Sequence, residues 1–422
     1  MSRVAILPGA ASAFDRVLAP VRGLGRARLV FLGYVTGGHT VVHWYQQVFS
    51  VVLPSISQSL GLSDVQVGYL QSMRQLTSGT LNLPVGVLAD AFRRRQAAML
   101  GSALVFMGLG YYVMGAAGGL AGALLGAALV GLGSAIWHPP AMGALSVRFP
   151  ERRATVLAIH GVGATVADTL TPVAVGALLV AFAWPAVLRA QVWPALVAGL
   201  LVWRGLAGQF HEAAARAPGQ SLARDVRAIL VDPVFMAVSF AQGLMMMARQ
   251  VILTFLPLYI QIGLGLTAFE LGIYVALLHG MGTVSQPVLG VLSDRMGRKA
   301  VLVPSYVIVA GLYLLLARVA PGWPLGVLVL AIGVFFYTLT NVTTAATLDA
   351  AGSRVHASAF GVASVVTQVI VLPAPVLAGW LVERRGYGSA FVLSAGFMGL
   401  GALLMLPLRL YRGTGWAPRA GS

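Results

Sequence analysis

Cysteine is absent from the 422 residues, and charged side chains make up only 9% of them. The first absence excludes a disulfide framework, thiolate metal sites and a cysteine nucleophile. The second excludes an ordinary soluble domain, in which roughly a quarter of residues are charged. Paired carboxylates, His-Glu-x-x-His and Gly-x-Ser-x-Gly are also missing, so neither a metalloprotease nor an acyl-transfer enzyme is indicated. The net charge of +16 does not point to nucleic acid, because the Arg residues fall in short loops rather than on one face between aromatic residues.

What is there is apolar: 58% of the residues are hydrophobic. Stretches of about 20 such residues, enough to cross a bilayer, recur along the chain between short polar or Pro/Gly-containing breaks. The pattern predicts helices over 29–54, 65–90, 96–117, 119–146, 153–181 and 186–206, then over 233–261, 267–293, 299–318, 323–349, 355–382 and 388–408. The expectation is an all-α membrane protein with twelve transmembrane helices in two six-helix bundles, 29–207 and 233–409. Segment 208–232 is read as a cytoplasmic linker, and 1–28 and 410–422 as cytoplasmic tails; the apolar run Val4 to Leu7 is too short for a signal-peptide core.

Orientation follows from the cations, since positive loops stay on the cytoplasmic side. One side would hold Arg93 to Arg95, Arg148, Arg152, Arg153, Arg216, Arg224, Arg227, Arg295, Arg298, Lys299, Arg354, Arg412 and Arg419. The other would hold only Arg189, Arg318, Arg384 and Arg385. Both termini are therefore expected inside.

An internal repeat supports two halves. Leu60-Gly61-Leu62-Ser63 returns as Leu264-Gly265-Leu266-Thr267, and Gly86-Val87-Leu88-Ala89-Asp90 as Gly290-Val291-Leu292-Ser293-Asp294, both at an offset of 204 residues. The second copy continues Arg295-x-Gly297-Arg298-Lys299 and resembles the loop motif of the major facilitator superfamily. That resemblance implies a gate latch built from Asp294, Arg295 and Arg298, with Asp90 in a degraded first copy where Ala91 and Arg93 replace a basic residue and Gly. Of the superfamily's antiporter motif in the fifth helix only Pro172 and Gly176 remain. Gly131-x-Gly133-Ser134-x-x-x-His138-Pro139, with His39 and Gln46 in the first helix, resembles the fosmidomycin-resistance group of bacterial efflux proteins; His43 stands where that group is expected to carry Asp. The resemblance implies a transporter of the bacterial inner membrane, not an enzyme.

Ionisable groups at bilayer depth cost about 2.5 to 3.5 kcal/mol each on insertion scales and mark function by default. Arg74 and Arg249 fall within the second and seventh helices, which with the first and eighth usually line the cavity in the superfamily. Guanidinium groups there suit an anionic substrate; pairing with a carbonyl, or of Arg74 with Asp168, is the structural alternative. Tyr45, Gln46, Gln47, Trp137, Asn341, Gln368 and His279 complete the expected lining, His279 lying opposite Gln75 in the repeat. Asp168 is the carboxylate nearest the middle of a helix and, with His39, His43, His138 and His160, the expected proton-coupling set. His39 and His43, with His160 or Asp168 nearby, also have metal-ligand spacing, but the sequence supplies no assured third ligand and no metal or cofactor is assigned.

The function expected is proton-coupled efflux of a small anionic or amphipathic compound by a monomer in the bilayer. Uptake or facilitated diffusion of a carboxylate, export of a metal or its complex, and a transport-inactive sensor or scaffold are the alternatives.

Overall fold

The computed structural model describes residues 24–210, 230–351 and 356–410. The assignments that fall on 1–23, 211–229, 352–355 and 411–422, including Arg216, Arg224, Arg227, Arg354, Arg412 and Arg419, lie outside the described residues.

Regular structure among the described residues is helical, as lipid requires of a chain whose backbone groups must bond within each segment. In chain order the α-helices are α1 (Arg26–Ser59), α2 (Asp64–Ala91), α3 (Gln96–Gly115), α4 (Leu120–Arg148), α5 (Arg153–Ala181), α6 (Trp184–Ala190) and α7 (Val192–Leu206). They continue with α8 (Pro233–Leu258), α9 (Ala268–Met296), α10 (Arg298–Leu316), α11 (Trp323–Phe336), α12 (Thr338–Ala351), α13 (His356–Val371), α14 (Ala374–Arg385) and α15 (Gly388–Met405).

Among the described residues, ten helical stretches are long and apolar enough to cross a membrane. Helices α1 and α2 are not among them, although they are 34 and 28 residues long. Their mean hydropathy is lowered by the residues that make them interesting: His39, His43, Gln46 and Gln47 on α1, and Gln71, Arg74 and Gln75 on α2.

Three expected helices are interrupted. The stretch 186–206 breaks at Gln191, where Pro194 has no N–H to offer the carbonyl of Ala190. The stretch 355–382 breaks at Leu372–Pro373, and Pro373 and Pro375 open α14. The stretch 323–349 is divided at Tyr337.

The 204-residue repeat is a structural repeat. Gly61 and Gly265 take φ of +59° and +69°, which a side chain would disfavour, and each turn leads into a capping box. Ser63 accepts from Gln66 N–H and Thr267 from Glu270 N–H, with the Gln66 and Glu270 side chains returning to the cap N–H.

At this end of the bundle the first-half helices meet the second-half helices, α2 against α14 and α5 against α9. The approach is close enough to need glycine: a Cβ on Gly68 would lie 2.6 Å from the Pro375 carbonyl oxygen, and one on Gly272 would lie 2.3 Å from that of Pro172. Val65 N–H donates to Glu383 Oε1 at 3.0 Å, and Ser72 Oγ to the Leu372 carbonyl at 2.8 Å, across the same seam.

The opposite end differs. A Cβ on Gly290 would meet nothing within 4 Å. Ion pairs there join residues of the same half: Arg93 with Asp90 at 2.9 Å, and Arg298 forked between Asp294 and Asp349, the latter at 3.0 Å. The loop motif thus ties the α9–α10 turn to α12, while Gly297 makes the turn at φ +98°. Arg295 sits in the last turn of α9. The first copy keeps the local pair.

Candidate functional site

A polar cavity of about 250 Å³ lies where the two groups of helices meet. Helical spacing builds it. His43, Gln46, Gln47 and Ser50 lie three or four apart on one face of α1, Arg74, Gln75 and Ser78 on α2, and Met246, Arg249, Gln250 and Leu253 on α8. Ser134, Asp168, His279 and Tyr337 close the remaining sides. Gly131, one turn before Ser134, brings α4 onto the backbone of α2: a Cβ there would lie 2.5 Å from the Arg74 carbonyl oxygen.

Asp168 is 3% exposed, and burial of an ionised carboxylate is tolerable only with donors around it. Its Oδ1 accepts from His43 Nδ1 and from Gln47 Nε2, each at 2.9 Å. Its Oδ2 accepts from the Tyr337 hydroxyl at 2.5 Å, a bond that crosses from α5 to the α11–α12 junction. The same hydroxyl lies 2.7 Å from His279 Nδ1 and accepts from it, leaving His279 Nε2 buried and unpaired among the described residues.

The two guanidinium groups are held differently. Arg74 donates to the Gln46 carbonyl and to Gln71 Oε1, both at 3.1 Å, and lies 4.5 Å from the centre of the Phe49 ring. Arg249 donates to Thr340 Oγ1 at 3.1 Å and lies 4.0 Å from the centre of the Phe336 ring. Neither hydrogen-bonds a carboxylate among the described residues, so pairing of Arg74 with Asp168 is replaced by the carbonyl pairing. A neighbouring pocket of about 230 Å³ shares Met246 and is lined by Gln242, Thr340, Thr344, Thr347 and Gln368.

The four first-half histidines form one cluster. The His39 ring stacks on His160 at 3.8 Å and meets His43 and His138 edge-on at 4.6 and 5.6 Å between centroids. His39 Nδ1 contacts the His160 carbonyl at 3.0 Å, and His138 Nδ1 the Ser134 carbonyl at 2.8 Å. Ligating atoms of His39, His43 and His138 all lie within 4.8 Å of one another.

Of the residues singled out in the sequence, Arg74, Arg249, Gln46, Gln47, His43, His279 and Asp168 are brought to the cavity. Tyr45 is not: it is fully buried on the other side of α1, donating to the Gln191 carbonyl at 2.8 Å. Trp137 is also fully buried, its ring pressed on Gly38, and is packing rather than lining. Gln368 lines the neighbouring pocket and bonds the Gln75 carbonyl at 2.8 Å, whereas Asn341 is exposed and outside both linings. Gln250 and Tyr337 were missed. The repeat held a signal for each, since Gln250 falls opposite Gln46 and Tyr337 opposite Gly133 of the Gly-x-Gly-Ser motif.

A bundle of membrane-length helices enclosing a polar, charged cavity at its central seam is the architecture of a membrane transporter. The chain belongs to the Major Facilitator Superfamily, whose family model matches residues 35–372 and 282–420. It is similar to the fosmidomycin resistance protein of Escherichia coli (strain K12), with 24% identity over 73% of this chain and 76% of that one. It is 33% identical to the probable sulfoacetate transporter SauU of Cupriavidus necator, over 37% of this chain and 38% of the relative. Two solved structures share the fold. A bacterial homolog of the human lysosomal transporter Spinster superposes with a TM-score of 0.75 at 18% identity, covering 91% of this chain and 97% of that one. The nucleoside transporter NupG superposes with a TM-score of 0.73 at 13% identity, covering 89% and 99%.

Proposed function

We propose that the protein is a secondary active transporter that expels a small organic anion from the bacterial cytoplasm in exchange for protons. In this reading twelve spans form two six-helix halves, 29–207 and 233–409, in the inner membrane with both termini inside. The observation that carries the substrate class is the pair Arg74 and Arg249, contributed by different halves to one cavity and engaged there by neutral partners. Against two guanidinium groups stands one carboxylate, so the cavity keeps an excess of positive charge that an anion would balance. The sulfoacetate named for one relative is such an anion, and the resistance named for the other suits efflux.

Coupling is assigned to Asp168. It is the buried carboxylate at the seam, and its bond from Tyr337 exists only while the two halves meet there. The cation distribution puts the glycine-sealed end outside, so the cavity described here is closed to the exterior, as an exporter is when it loads.

The test is transport in proteoliposomes with an imposed pH gradient, using sulfoacetate and a series of carboxylates and phosphonates. Proton movement opposite to anion movement is expected. Flux indifferent to the gradient eliminates exchange and leaves facilitated diffusion, whereas no flux, together with no change of phenotype in Arg74→Ala, leaves a sensor or scaffold.

A further inference from the structure

We propose that His39, His43 and His138 bind a divalent late transition-metal ion, Zn²⁺ or a relative, through their three Nε2 atoms.

The argument rests on which ring nitrogen is taken. A carbonyl or carboxylate oxygen can only accept, so a neutral histidine facing one through Nδ1 carries its proton there and leaves the Nε2 lone pair free. That holds three times over: His39 faces the His160 carbonyl at 3.0 Å, His43 faces Asp168 Oδ1 at 2.9 Å, and His138 faces the Ser134 carbonyl at 2.8 Å. A metal-ligating histidine has this same arrangement, its second nitrogen donating to a carbonyl or carboxylate that fixes the ring and raises its basicity.

Convergence is the second observation. Ligating atoms of the three residues fall within 4.8 Å of one another. Tetrahedral zinc with bonds of about 2.0–2.1 Å needs nitrogens about 3.3 Å apart, so metal loading would draw the rings together. The third is support from behind: His160 stacks flat on His39 at 3.8 Å with both its ring nitrogens buried and unpaired among the described residues, which limits how far His39 can turn away. Three neutral imidazoles favour Zn²⁺, Ni²⁺, Co²⁺ or Cu²⁺ over Mg²⁺ or Ca²⁺, which take oxygen ligands. His43 also lines the cavity, so a bound ion would lie beside the space where cargo would sit.

The experiment reads binding, without substrate or gradient, so its failure leaves the transport reading standing. Chelator-stripped, full-length protein in detergent is titrated with Co²⁺ and Zn²⁺. One equivalent of Co²⁺ is expected, with the intense d–d absorption of a four-coordinate nitrogen site, displaced by Zn²⁺. His138→Gln is expected to weaken Zn²⁺ binding at least tenfold, while Asn341→Ala, exposed and outside both linings, leaves it unchanged. Absence of stoichiometric binding, or unchanged binding in His138→Gln, overturns the site. X-ray absorption of the Zn²⁺-loaded parent protein needs no variant: three imidazole ligands are expected, and fewer than three refute the proposal even if His138→Gln does not fold.

Discussion

Tyr337 and Asp168 are joined across the central seam by a 2.5 Å hydrogen bond, hydroxyl to carboxylate. A hydrogen bond to a charged group contributes about 1.5–3 kcal/mol, enough to shift a two-state equilibrium by one to two decades. Tyr337→Phe is accordingly expected to raise the population with the halves apart at this level, read as a longer distance between spin labels placed on α5 and α12. An unchanged distance distribution would remove the bond from the gating cycle.

Asp168→Asn keeps the side chain's size and removes its charge. Proton-driven transport is expected to fall at least tenfold while anion binding, measured by thermal shift, persists. Loss of both together would mean that Asp168 holds the fold rather than the coupling.

Arg74→Lys and Arg249→Lys retain charge but lose the planar fork that matches a carboxylate or sulfonate. Each is expected to weaken anion binding about 10- to 100-fold, the worth of one or two charge-assisted hydrogen bonds. Titration calorimetry in detergent measures this; parent-like affinity in both variants would exclude the pair from substrate contact.

Gly272→Val puts atoms where the Pro172 carbonyl already lies 2.3 Å from the added Cβ, and overpacking of this kind costs about 1–3 kcal/mol. Loosening of the α5–α9 seam and a lower Tm are expected. Gly290→Ala, which meets nothing within 4 Å, serves as the neutral comparison.

Asp64 opens α2 just before the expected span and lies at the same sealed end. Burial first, and then the Glu383 carboxylate, raise its pKa from 3.8 to about 6. The raised value means that the sealed contact disfavours the charged form. The contribution of Asp64 to the seam is therefore fully present below about pH 4 and is lost as pH rises through about 6. Labels on α2 and α14 should separate over that interval in the parent protein and not in Asp64→Asn.

How much of this was legible in the sequence depended on whether a residue's neighbours in sequence were also its neighbours in space. The caps at Ser63 and Thr267 and the turns at Gly61 and Gly265 are local, and the repeat exposed them. Arg74, Arg249 and Asp168 stood out because charge is rare in such helices. The direction each helix faces is a tertiary property, however. Tyr45 and Gln46 are adjacent in sequence and about 100° apart around α1, so polarity alone did not separate the one that meets Gln191 from the one that meets the cavity. For the same reason His138 did not declare itself the partner of His39 and His43 until α4 was packed against α1. Tyr337 was hidden more deeply, because a tyrosine ending an apolar run looks like packing until its hydroxyl is seen to reach another half of the molecule.

The low apolarity of α1 and α2 bears on how the chain is made. Bilayer entry from the ribosome depends on the apolarity of each segment as it emerges, and these two emerge before α5, carrying His39, His43, Gln47 and Arg74. Asp168, which takes up the donors of His43 and Gln47, lies more than a hundred residues later in the order of synthesis. Until α5 arrives, His39, His43 and Gln47 stand in this hairpin without their partners, whereas Arg74 already meets the Gln46 carbonyl and Gln71 within it. The polar residues that line the cavity thus make the α1–α2 hairpin dependent on a helix not yet synthesised, and a chain truncated before α5 would be a poor resident of the bilayer.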